Sequence, residues 1–324
     1  SNPNVGALVV YEGRVIGEGY HKEFGSAHAE VNAINSVPQH SRGLLSQSTL
    51  YVTLEPCNHY GKTPPCTDLI LEHKIPRVVI GTLDPHHIMA GKSVELLRNA
   101  GVEVILGVNK KKCNQLIMPF KANLNKRPYV ILKIVKSKDN YIGVAGKKVW
   151  LSNALSTTIA HQWRSECDGI LIGTDTAVVD NPALTVRHIE GNHPVRLVID
   201  NHKRIPETHL LYADDLQTVI ISDAQFPNKL NKNKSYLKVN DSHNISELLE
   251  EIWKIRIYRL LVEGGGKLIS SFIESGLWDE ARVVTTGNKL GEGIAAPLVE
   301  GHLFKKYQLV DNQIVHLYNE ANLK

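Results

Sequence analysis

Cysteine, methionine and aromatic residues are all scarce in this sequence of 324 residues. It contains 4 Cys and 2 Met, and 6% of its residues are aromatic. Cys57, Cys66, Cys113 and Cys167 are too few and too widely spaced for a disulfide framework at this length. We therefore expect a reducing, cytoplasmic location, where the question becomes whether any of these cysteines bind a metal.

Long apolar runs and a large net charge are also lacking. No run of 18 apolar residues occurs, which excludes an apolar membrane-spanning helix. The hydrophobic share is 42% and the formal net charge is +4, values that exclude disorder of the whole chain. This mildly basic balance permits a phosphorylated small-molecule substrate and gives only weak support for a nucleic-acid partner.

The first residues lack the features of a chain start. Ser1-Asn2-Pro3-Asn4 has no initiator Met, and neither a basic nor an apolar leader region is present. We expect the chain to begin inside a longer one. The length favours about two domains, each large enough to bury its own core.

Strand and helix patterns alternate through the first half of the chain. The predicted strands are 5–11, 14–19, 49–54, 77–81 and 102–106, and the predicted helices are 27–37, 67–73 and 93–100. This order favours a three-layer α/β domain whose sheet is largely parallel in its second part.

A polar segment at 123–128 predicts a domain boundary, which divides the chain into 1–124 and 125–324. A second α/β domain is predicted after it. Its strands are 129–135, 169–173, 195–200, 218–222, 258–263 and 283–286, and its helices are 153–167, 246–253 and 267–275. The Lys- and Asn-rich stretch 228–238 predicts a solvated loop.

His28, Cys57 and Cys66 are candidate ligands of a catalytic zinc ion. His28 lies at the start of a predicted helix, and Cys57 follows a predicted strand. One imidazole and two thiolates leave the fourth tetrahedral position to water, whose pKa zinc lowers to about 7. Glu30 can take the proton of that water and pass it to a departing nitrogen. The pattern resembles the H-x-E…P-C-x-x-C arrangement of nucleobase deaminases.

The spacing of the two cysteines departs from that arrangement, because residues 58–65 separate them. Two alternatives stay open: Cys57 and Cys66 are unrelated buried thiols, or His28 is an ordinary polar helix residue. We favour the metal site because H-A-E and T-L-E-P-C both occur, in the expected order. Within the inserted segment, His59 and Lys62 are well placed to meet an anionic substrate, although a single loop lysine is more often solvated.

Three motifs resemble the deaminase half of the bifunctional riboflavin-biosynthesis deaminase/reductase family. They are N-P-N-V-G at 2–6, H-A-E at 28–30 and E-P-C-N-H-Y-G-K-T-P-P-C at 55–66. The resemblance implies a cytidine-deaminase-like fold, zinc on the three ligands above, and Glu30 as the proton shuttle. It also implies a helix ahead of the first motif, which this chain lacks.

The same resemblance implies the reaction and its contacts. The reaction is hydrolytic deamination of 2,5-diamino-6-ribosylamino-4(3H)-pyrimidinone 5′-phosphate. The implied substrate contacts are Asn4, His59, Lys62 and Asp84. The family reads D-P-N-P at this last position, whereas this chain has D-P-H-H at 84–87, so the contact of that Asn is not carried over.

The second half contains no G-x-G-x-x-G motif after its first strand, so a Rossmann domain is not supported. Instead, three glycines at 264–266 follow a predicted strand and open a helix, where backbone N–H groups can bind phosphate. A tight connection explains the glycines equally well. The segments 173–187 and 262–266 resemble the reductase half of the same family, which implies a dihydrofolate-reductase-like α/β fold.

The resemblance assigns two sets of residues in this half. The NADPH positions are Lys136, Trp150, Thr176, Asp180, Ser222, Gly264, Gly265 and Gly266. The substrate positions are Arg164, Leu184, Arg187 and Glu263. Arginines suit a ribose phosphate, and NADPH supplies hydride to C1′ of the ribosyl group. The proton donor is either Asp180 or Glu263, and both alternatives stay open. Lys148 occupies a position where the family has a hydroxyl residue.

Two other functions stay open. One is a nucleic-acid base deaminase with an accessory domain, against which stands the lack of a basic stripe interleaved with aromatics. The other is a structural zinc module fused to an NADP-sensing domain, which needs a fourth protein ligand such as His59 or Cys113. For partners, the resemblance implies a phosphorylated pyrimidine, no nucleic acid, no membrane, and a homodimer through the reductase half.

Overall fold

The computed structural model describes residues 2–23, 25–60, 64–86, 90–224 and 233–323. The chain divides into two compact units. The first ends at Leu124 and also holds Leu323, and the second is Asn125–Asn322. None of the helices within the described ranges combines the length and the apolar character that crossing a membrane requires.

The first unit is built on a five-stranded sheet in the order β2-β1-β3-β4-β5. The strands are β1 (Gly6–Tyr11), β2 (Arg14–Tyr20), β3 (Thr49–Leu54), β4 (Arg77–Thr82) and β5 (Glu103–Leu106). β1 is antiparallel to β2 and β3, whereas β3, β4 and β5 are parallel. The predicted parallel second part of the sheet is therefore confirmed.

Helices cover both faces of this sheet. They are α1 (Ala29–Asn35), α2 (Cys66–Glu72), α3 (Lys92–Asn99) and α4 (Lys110–Leu124), with a 3₁₀ helix at Gln39–Gln47. Val78 and Ile80 of β4 belong to the core shared with α1, α2 and α3. Gly81 points to the opposite face, where a Cβ would lie 2.2 Å from Cys113 Sγ of α4. These contacts confirm the three-layer arrangement.

The second unit contains a nine-stranded sheet within the described ranges, in the order β11-β10-β9-β8-β12-β6-β13-β16-β15. All pairs from β11 to β13 are parallel, and the last two pairs are antiparallel. The strands are β6 (Tyr129–Lys136), β7 (Tyr141–Gly143), β8 (Gly169–Ile172), β9 (Val195–Ile199), β10 (Thr218–Ser222), β11 (Lys234–Lys238), β12 (Arg259–Val262), β13 (Glu280–Thr285), β14 (Ile294–Ala295), β15 (His302–Leu309) and β16 (Asn312–Tyr318).

Helices α5 (Ala154–Ser165), α6 (Thr174–Asp180), α7 (Leu210–Ala213), α8 (Ile245–Lys254) and α9 (Gly266–Glu274) accompany this sheet. α8 and α9 pack Leu248, Ile252 and Phe272 onto one of its faces. Two helices begin at an Asn side chain that caps the first turn, because Asn153 accepts a hydrogen bond from the Ser156 N–H and Asn244 from the Glu247 N–H.

Several elements differ from the sequence-based expectations. Lys234–Lys238 is not solvated loop but strand β11, which pairs with β10; the preceding residues 228–232 lie outside the described ranges. Helix α4 was not predicted, and it begins with three lysines and contains Pro119. The hairpin of β15 and β16 was not predicted either. Each of these segments is stabilised by pairing or packing with residues distant in the sequence.

Candidate active sites

The first site forms where three elements of the first unit meet. His28 immediately precedes α1, Cys57 lies beyond the carboxyl end of β3, and Cys66 begins α2. The His28 Nδ1 atom lies 3.4 Å from Cys57 Sγ and 3.3 Å from Cys66 Sγ. The Cys66 N–H donates to Cys57 Sγ over 3.3 Å, which fixes the Cys57 sulfur relative to the start of α2. The fold thus places both sulfur atoms beside His28, although Cys57 and Cys66 are widely spaced in the sequence.

This cluster fits a zinc ion. Ordinary Zn–S and Zn–N bonds in tetrahedral geometry place sulfur and nitrogen about 3.6 Å apart, close to the 3.3 and 3.4 Å observed between His28 Nδ1 and the two sulfurs. Across the described ranges, this is the group of His, Cys, Asp or Glu side chains close enough to hold a metal, and neither His59 nor Cys113 joins it. Three ligands leave one tetrahedral position for water, as in catalytic zinc sites.

Hydrogen bonds within the cluster shift the pKa values of its three members in different directions. A hydrogen bond from the Cys66 side chain lowers the pKa of Cys57 to about 4 and raises that of Cys66. The hydrogen bond between His28 and Cys57 raises the pKa of His28. At least one sulfur is thus a thiolate, the form that binds zinc.

Glu30 lies in the first turn of α1, beside the metal cluster. Its side chain is 4% exposed, and burial raises its pKa to about 7. It also interacts with the Cys66 side chain. A carboxyl group in this position can exchange protons with a molecule bound at the cluster.

His21 is a neighbour of the metal cluster that the sequence analysis missed. Its Nδ1 contacts the Ala27 carbonyl oxygen at 3.1 Å, and its Nε2 contacts the Asn2 side-chain nitrogen at 2.9 Å. Its ring packs edge-on against the His28 ring, with centroids 5.5 Å apart. Because His21 ends up here only through the β1–β2 hairpin, no local sequence pattern could have identified it.

Of the substrate contacts expected in the first unit, Asp84 and His59 lie near each other. Asp84 follows β4, and burial raises its pKa, with a further contribution from the nearby Glu55 carboxylate. His59 is exposed and close enough to Asp84 to lower the same pKa. Asn4 is exposed at the N-terminal end of the described chain. Lys62 lies outside the described residues.

The second site contains a buried ionic cluster centred on Glu263, which follows β12. Arg164 donates to both carboxylate oxygens of Glu263 at 2.8 Å, and Lys133 donates to one of them at 3.0 Å. Burial alone would raise the pKa of Glu263, but these two cations hold it well below its usual range. Arg164 also donates to the Thr185 carbonyl oxygen at 3.0 Å, which joins the cluster to the segment that contains Leu184 and Arg187, the other expected substrate positions.

The segment 184–187 is held in a defined conformation. Leu184 is buried and has a left-handed backbone, with φ of 53°. The Arg187 N–H donates to His161 Nδ1 at 3.1 Å, and its guanidinium donates to Thr185 Oγ1 at 2.8 Å. Burial lowers the pKa of His161 to about 4, so its ring stays neutral and can accept this hydrogen bond. The Arg187 side chain is exposed and available to an anionic ligand.

The glycine segment that opens α9 forms a cradle with no room for side chains. A Cβ at Gly264 would lie 2.9 Å from Ile172 Cγ2 and 3.1 Å from Thr176 Cγ2. Gly265 has φ of 71°, and a Cβ there would lie 3.3 Å from Thr176 Oγ1. Thr176 and the glycines therefore lie together at the carboxyl edge of the parallel strands, which is where dinucleotides bind in open α/β sheets. Backbone N–H groups at such a glycine-rich helix start suit a phosphate group, such as those of NADPH.

Lys148 links two of the expected cofactor positions. Its Nζ donates to the Asp180 carbonyl oxygen at 2.6 Å, at the end of α6. Trp150, two residues further on, is 68% exposed. The side chain that replaces the hydroxyl residue of the family thus connects the segment of Trp150 to α6.

Lys136 and Ser222 each form a hydrogen bond with a residue close to them in the sequence. The Lys136 Nζ donates to Asn140 Oδ1 at 2.8 Å. Ser222 ends β10, is buried, and accepts a hydrogen bond from the Ala224 N–H at 3.0 Å. Each is the last residue of a strand of the parallel sheet, β6 or β10, but no described contact joins either one to the glycine cradle.

Comparisons with protein families cover both units. Residues 1–82 match the cytidine and deoxycytidylate deaminase zinc-binding region, and residues 128–322 match the RibD C-terminal domain. The layered fold and the cluster of His28, Cys57 and Cys66 beside Glu30 define the first unit as a zinc-binding deaminase. It is joined in one chain to a reductase unit.

Individual relatives match over most of the chain. The riboflavin biosynthesis protein RibD of Aquifex aeolicus is 37% identical over 300 residues, which cover 91% of this chain and 83% of the relative. A crystal structure of a deaminase/reductase from Thermotoga maritima superposes with a TM-score of 0.79 at 32% identity and covers 98% of this chain and 92% of that one. For RibD of Acinetobacter baumannii the TM-score is 0.77 at 30% identity, with the same coverage. The chain belongs to the RibD family of bifunctional, zinc- and NADPH-dependent deaminase/reductases of riboflavin biosynthesis.

Proposed function

We propose that the first unit hydrolytically deaminates 2,5-diamino-6-ribosylamino-4(3H)-pyrimidinone 5′-phosphate and that the second unit reduces the ribosyl group of the product to ribityl. The Thermotoga maritima relative is described as a diaminohydroxyphosphoribosylaminopyrimidine deaminase and 5-amino-6-(5-phosphoribosylamino)uracil reductase. The observation that carries the proposal is the buried Glu30 beside a cluster of three zinc ligands.

The two activities are assigned to separate parts of the chain. We propose that residues 1–124 carry the deaminase and residues 125–324 the reductase. The division of the chain after Leu124 and the extents of the two family matches, 1–82 and 128–322, support this boundary.

In the deaminase, His28, Cys57 and Cys66 would hold the zinc ion. When bound there, zinc supplies an acidified water at neutral pH. The Glu30 carboxylate takes a proton from the water that attacks the ring and delivers it to the departing amine nitrogen. Its burial keeps it away from bulk solvent, so the proton is passed on within the site. Asn4, His59, Lys62 and Asp84 contact the substrate.

In the reductase, Thr176, Asp180, Trp150, Lys136, Ser222 and the glycines at 264–266 bind NADPH, which supplies the hydride. Arg164, Leu184, Arg187 and Glu263 bind the substrate, and the exposed Arg187 guanidinium suits its phosphate. Of the two carboxylates open as proton donors, Glu263 is held ionised by its two cations. Burial raises the pKa of Asp180.

A sequential assay tests this function. The purified chain is given the diaminopyrimidine phosphate alone, and then the same substrate with NADPH. We expect ammonia release in both reactions and NADPH oxidation only after deamination. Removal of zinc by a chelator should abolish ammonia release but leave NADPH oxidation with the deaminated intermediate unchanged. Ammonia release at the full rate from zinc-free protein, or NADPH oxidation that precedes deamination, contradicts the proposal.

The finer partner and location assignments are also proposals. We propose a homodimer through the second unit, because the edge strand β15 exposes Leu303 and Phe304, and Val310 beside it is 72% exposed. Light scattering should then give a mass twice the 36.0 kDa of the chain; a mass of one chain at micromolar concentration contradicts this. We propose a cytoplasmic enzyme, since all four cysteines are free. We also propose that it has neither nucleic-acid nor membrane partners, because its net charge of +4 is modest; salt-sensitive RNA binding or sedimentation with vesicles contradicts this.

A further inference from the structure

Glu55 lies between the end of β3 and the zinc ligand Cys57, yet the reaction as described gives it no role. Its side chain is 5% exposed. A buried carboxylate is costly unless hydrogen bonds satisfy its oxygens. The contacts that it makes therefore show what holds it in place.

Three backbone N–H groups donate to the Glu55 carboxylate. The Asp84 N–H donates to Oε2 at 3.1 Å, the Gly91 N–H to the same oxygen at 2.9 Å, and the Ser93 N–H to Oε1 at 3.0 Å. The Glu55 N–H donates in turn to the Thr82 carbonyl oxygen at 2.9 Å, at the end of β4. One residue thus connects the strand end before Cys57 to both ends of the segment between β4 and α3.

We propose that Glu55 is a positioning residue that sets the location of Asp84 relative to the zinc ligands. Cys57 follows Glu55 by two residues, so a single backbone stretch carries both the metal ligand and the carboxylate that binds the Asp84 N–H. The inference rests on the proposed contact of Asp84 with the pyrimidine substrate.

The chemistry requires a carboxylate at this position. Two oxygens with four lone pairs can accept three N–H groups, whereas a Gln amide has one oxygen and turns its NH₂ group toward N–H donors. Gly91, which precedes α3, has no side chain that could cap the first turn in place of the Glu55 carboxylate. Loss of the carboxylate charge should therefore release Asp84 without changing the zinc ligands.

The test uses the full-length zinc enzyme with Glu55→Gln, Glu55→Asp and Asp84→Asn, and with Glu103→Gln as a control in an exposed ion pair of the same unit. For Glu55→Gln we expect the KM of ammonia release to rise about tenfold, as for the loss of charge-assisted hydrogen bonds, while kcat changes less than threefold. Glu55→Asp keeps the charge and should show a smaller rise. Zinc content and NADPH oxidation with the deaminated intermediate should match the wild type in every variant.

The outcomes separate this inference from the proposed function. A KM for Glu55→Gln and Glu55→Asp equal to that of Glu103→Gln, together with a raised KM for Asp84→Asn, overturns the positioning role and leaves the substrate contact intact. An unchanged KM for Asp84→Asn overturns the proposed contact and with it the positioning role. Loss of zinc in both Glu55 variants shows that Glu55 supports the metal site instead and also overturns the inference. If Glu55→Gln is insoluble, Glu55→Asp carries the test.

Discussion

Replacement of Glu30 by Gln is expected to slow ammonia release by about 100- to 10,000-fold, the usual contribution of a general acid–base group. The amide is nearly isosteric but can neither take the proton of the attacking water nor deliver one to the leaving nitrogen. Zinc should remain bound, because Glu30 is not among the three candidate ligands. Ammonia release and zinc content, measured on the same sample, check both statements.

The second activity of the chain provides the internal control for Glu30→Gln. NADPH oxidation with the deaminated intermediate should stay at the wild-type rate, because the residues proposed for the reductase lie in the other unit. Glu72→Gln, at the exposed end of α2, serves as the matched variant and should leave both activities unchanged. If ammonia release by Glu30→Gln stays within threefold of that by Glu72→Gln, Glu30 is not the proton shuttle.

Replacement of Glu263 by Gln should lower the free energy of unfolding of the second unit by about 3–5 kcal/mol. The reason is that Arg164 and Lys133 would keep their charges in a buried site, with side chains only 12% and 14% exposed. Reductase activity should also be lost in Glu263→Gln. Denaturant unfolding followed by circular dichroism measures the change, and Asp175→Asn, in an exposed pair with Arg204, should cost no more than about 1 kcal/mol.

The same cluster predicts a pH dependence. The pKa of Glu263 is lower in the folded chain than in the unfolded one, so its stabilisation is present above the unfolded value of about 4.3. It is lost as the pH falls below that value toward the folded pKa. The stability difference between wild type and Glu263→Gln should therefore shrink below about pH 4; a difference that stays constant from pH 7 to pH 3 contradicts the ionic origin.

Because Glu263→Gln is expected to be less stable, its loss of activity has to be compared with that of a variant whose fold is unchanged. Arg187 is exposed, and its guanidinium donates to Thr185 Oγ1. Arg187→Ala should therefore unfold like the wild type but bind the pyrimidine phosphate more weakly, with NADPH affinity unchanged. If Arg187→Ala weakens only the binding of NADPH, Arg187 contacts the cofactor and not the substrate.

Much of the regular structure follows from local sequence patterns. The strand predicted at 49–54 and the one predicted at 218–222 coincide with β3 and β10, since short apolar runs between turn residues have few alternatives to a buried strand. The helix predicted at 27–37 is shorter, Ala29–Asn35, because His28 has an extended backbone and acts as the N-cap. Helix ends depend on such capping geometry, which spacing alone does not specify.

Elements that depend on distant partners could not be predicted in this way. Helix α4 begins with three lysines and includes Pro119, both unfavourable locally, yet it buries Ile117 and Met118. β11 contains two lysines and one serine among its five residues but pairs along its whole length with β10. In both cases tertiary burial or backbone pairing outweighs the local preference.

The sequence by itself determined the chemistry of the first site: one imidazole, two thiolates and a carboxylate, in an order that points to zinc and proton transfer. Only the tertiary structure decided that Cys57 and Cys66 lie beside the same His28 nitrogen despite their wide spacing. The folded chain also decided that the Glu55 carboxylate binds three N–H groups, and that Glu263 lies between two cations. The physical reason is that ligand type is a property of a side chain, whereas convergence comes from parallel strands whose carboxyl ends meet at one edge of a sheet.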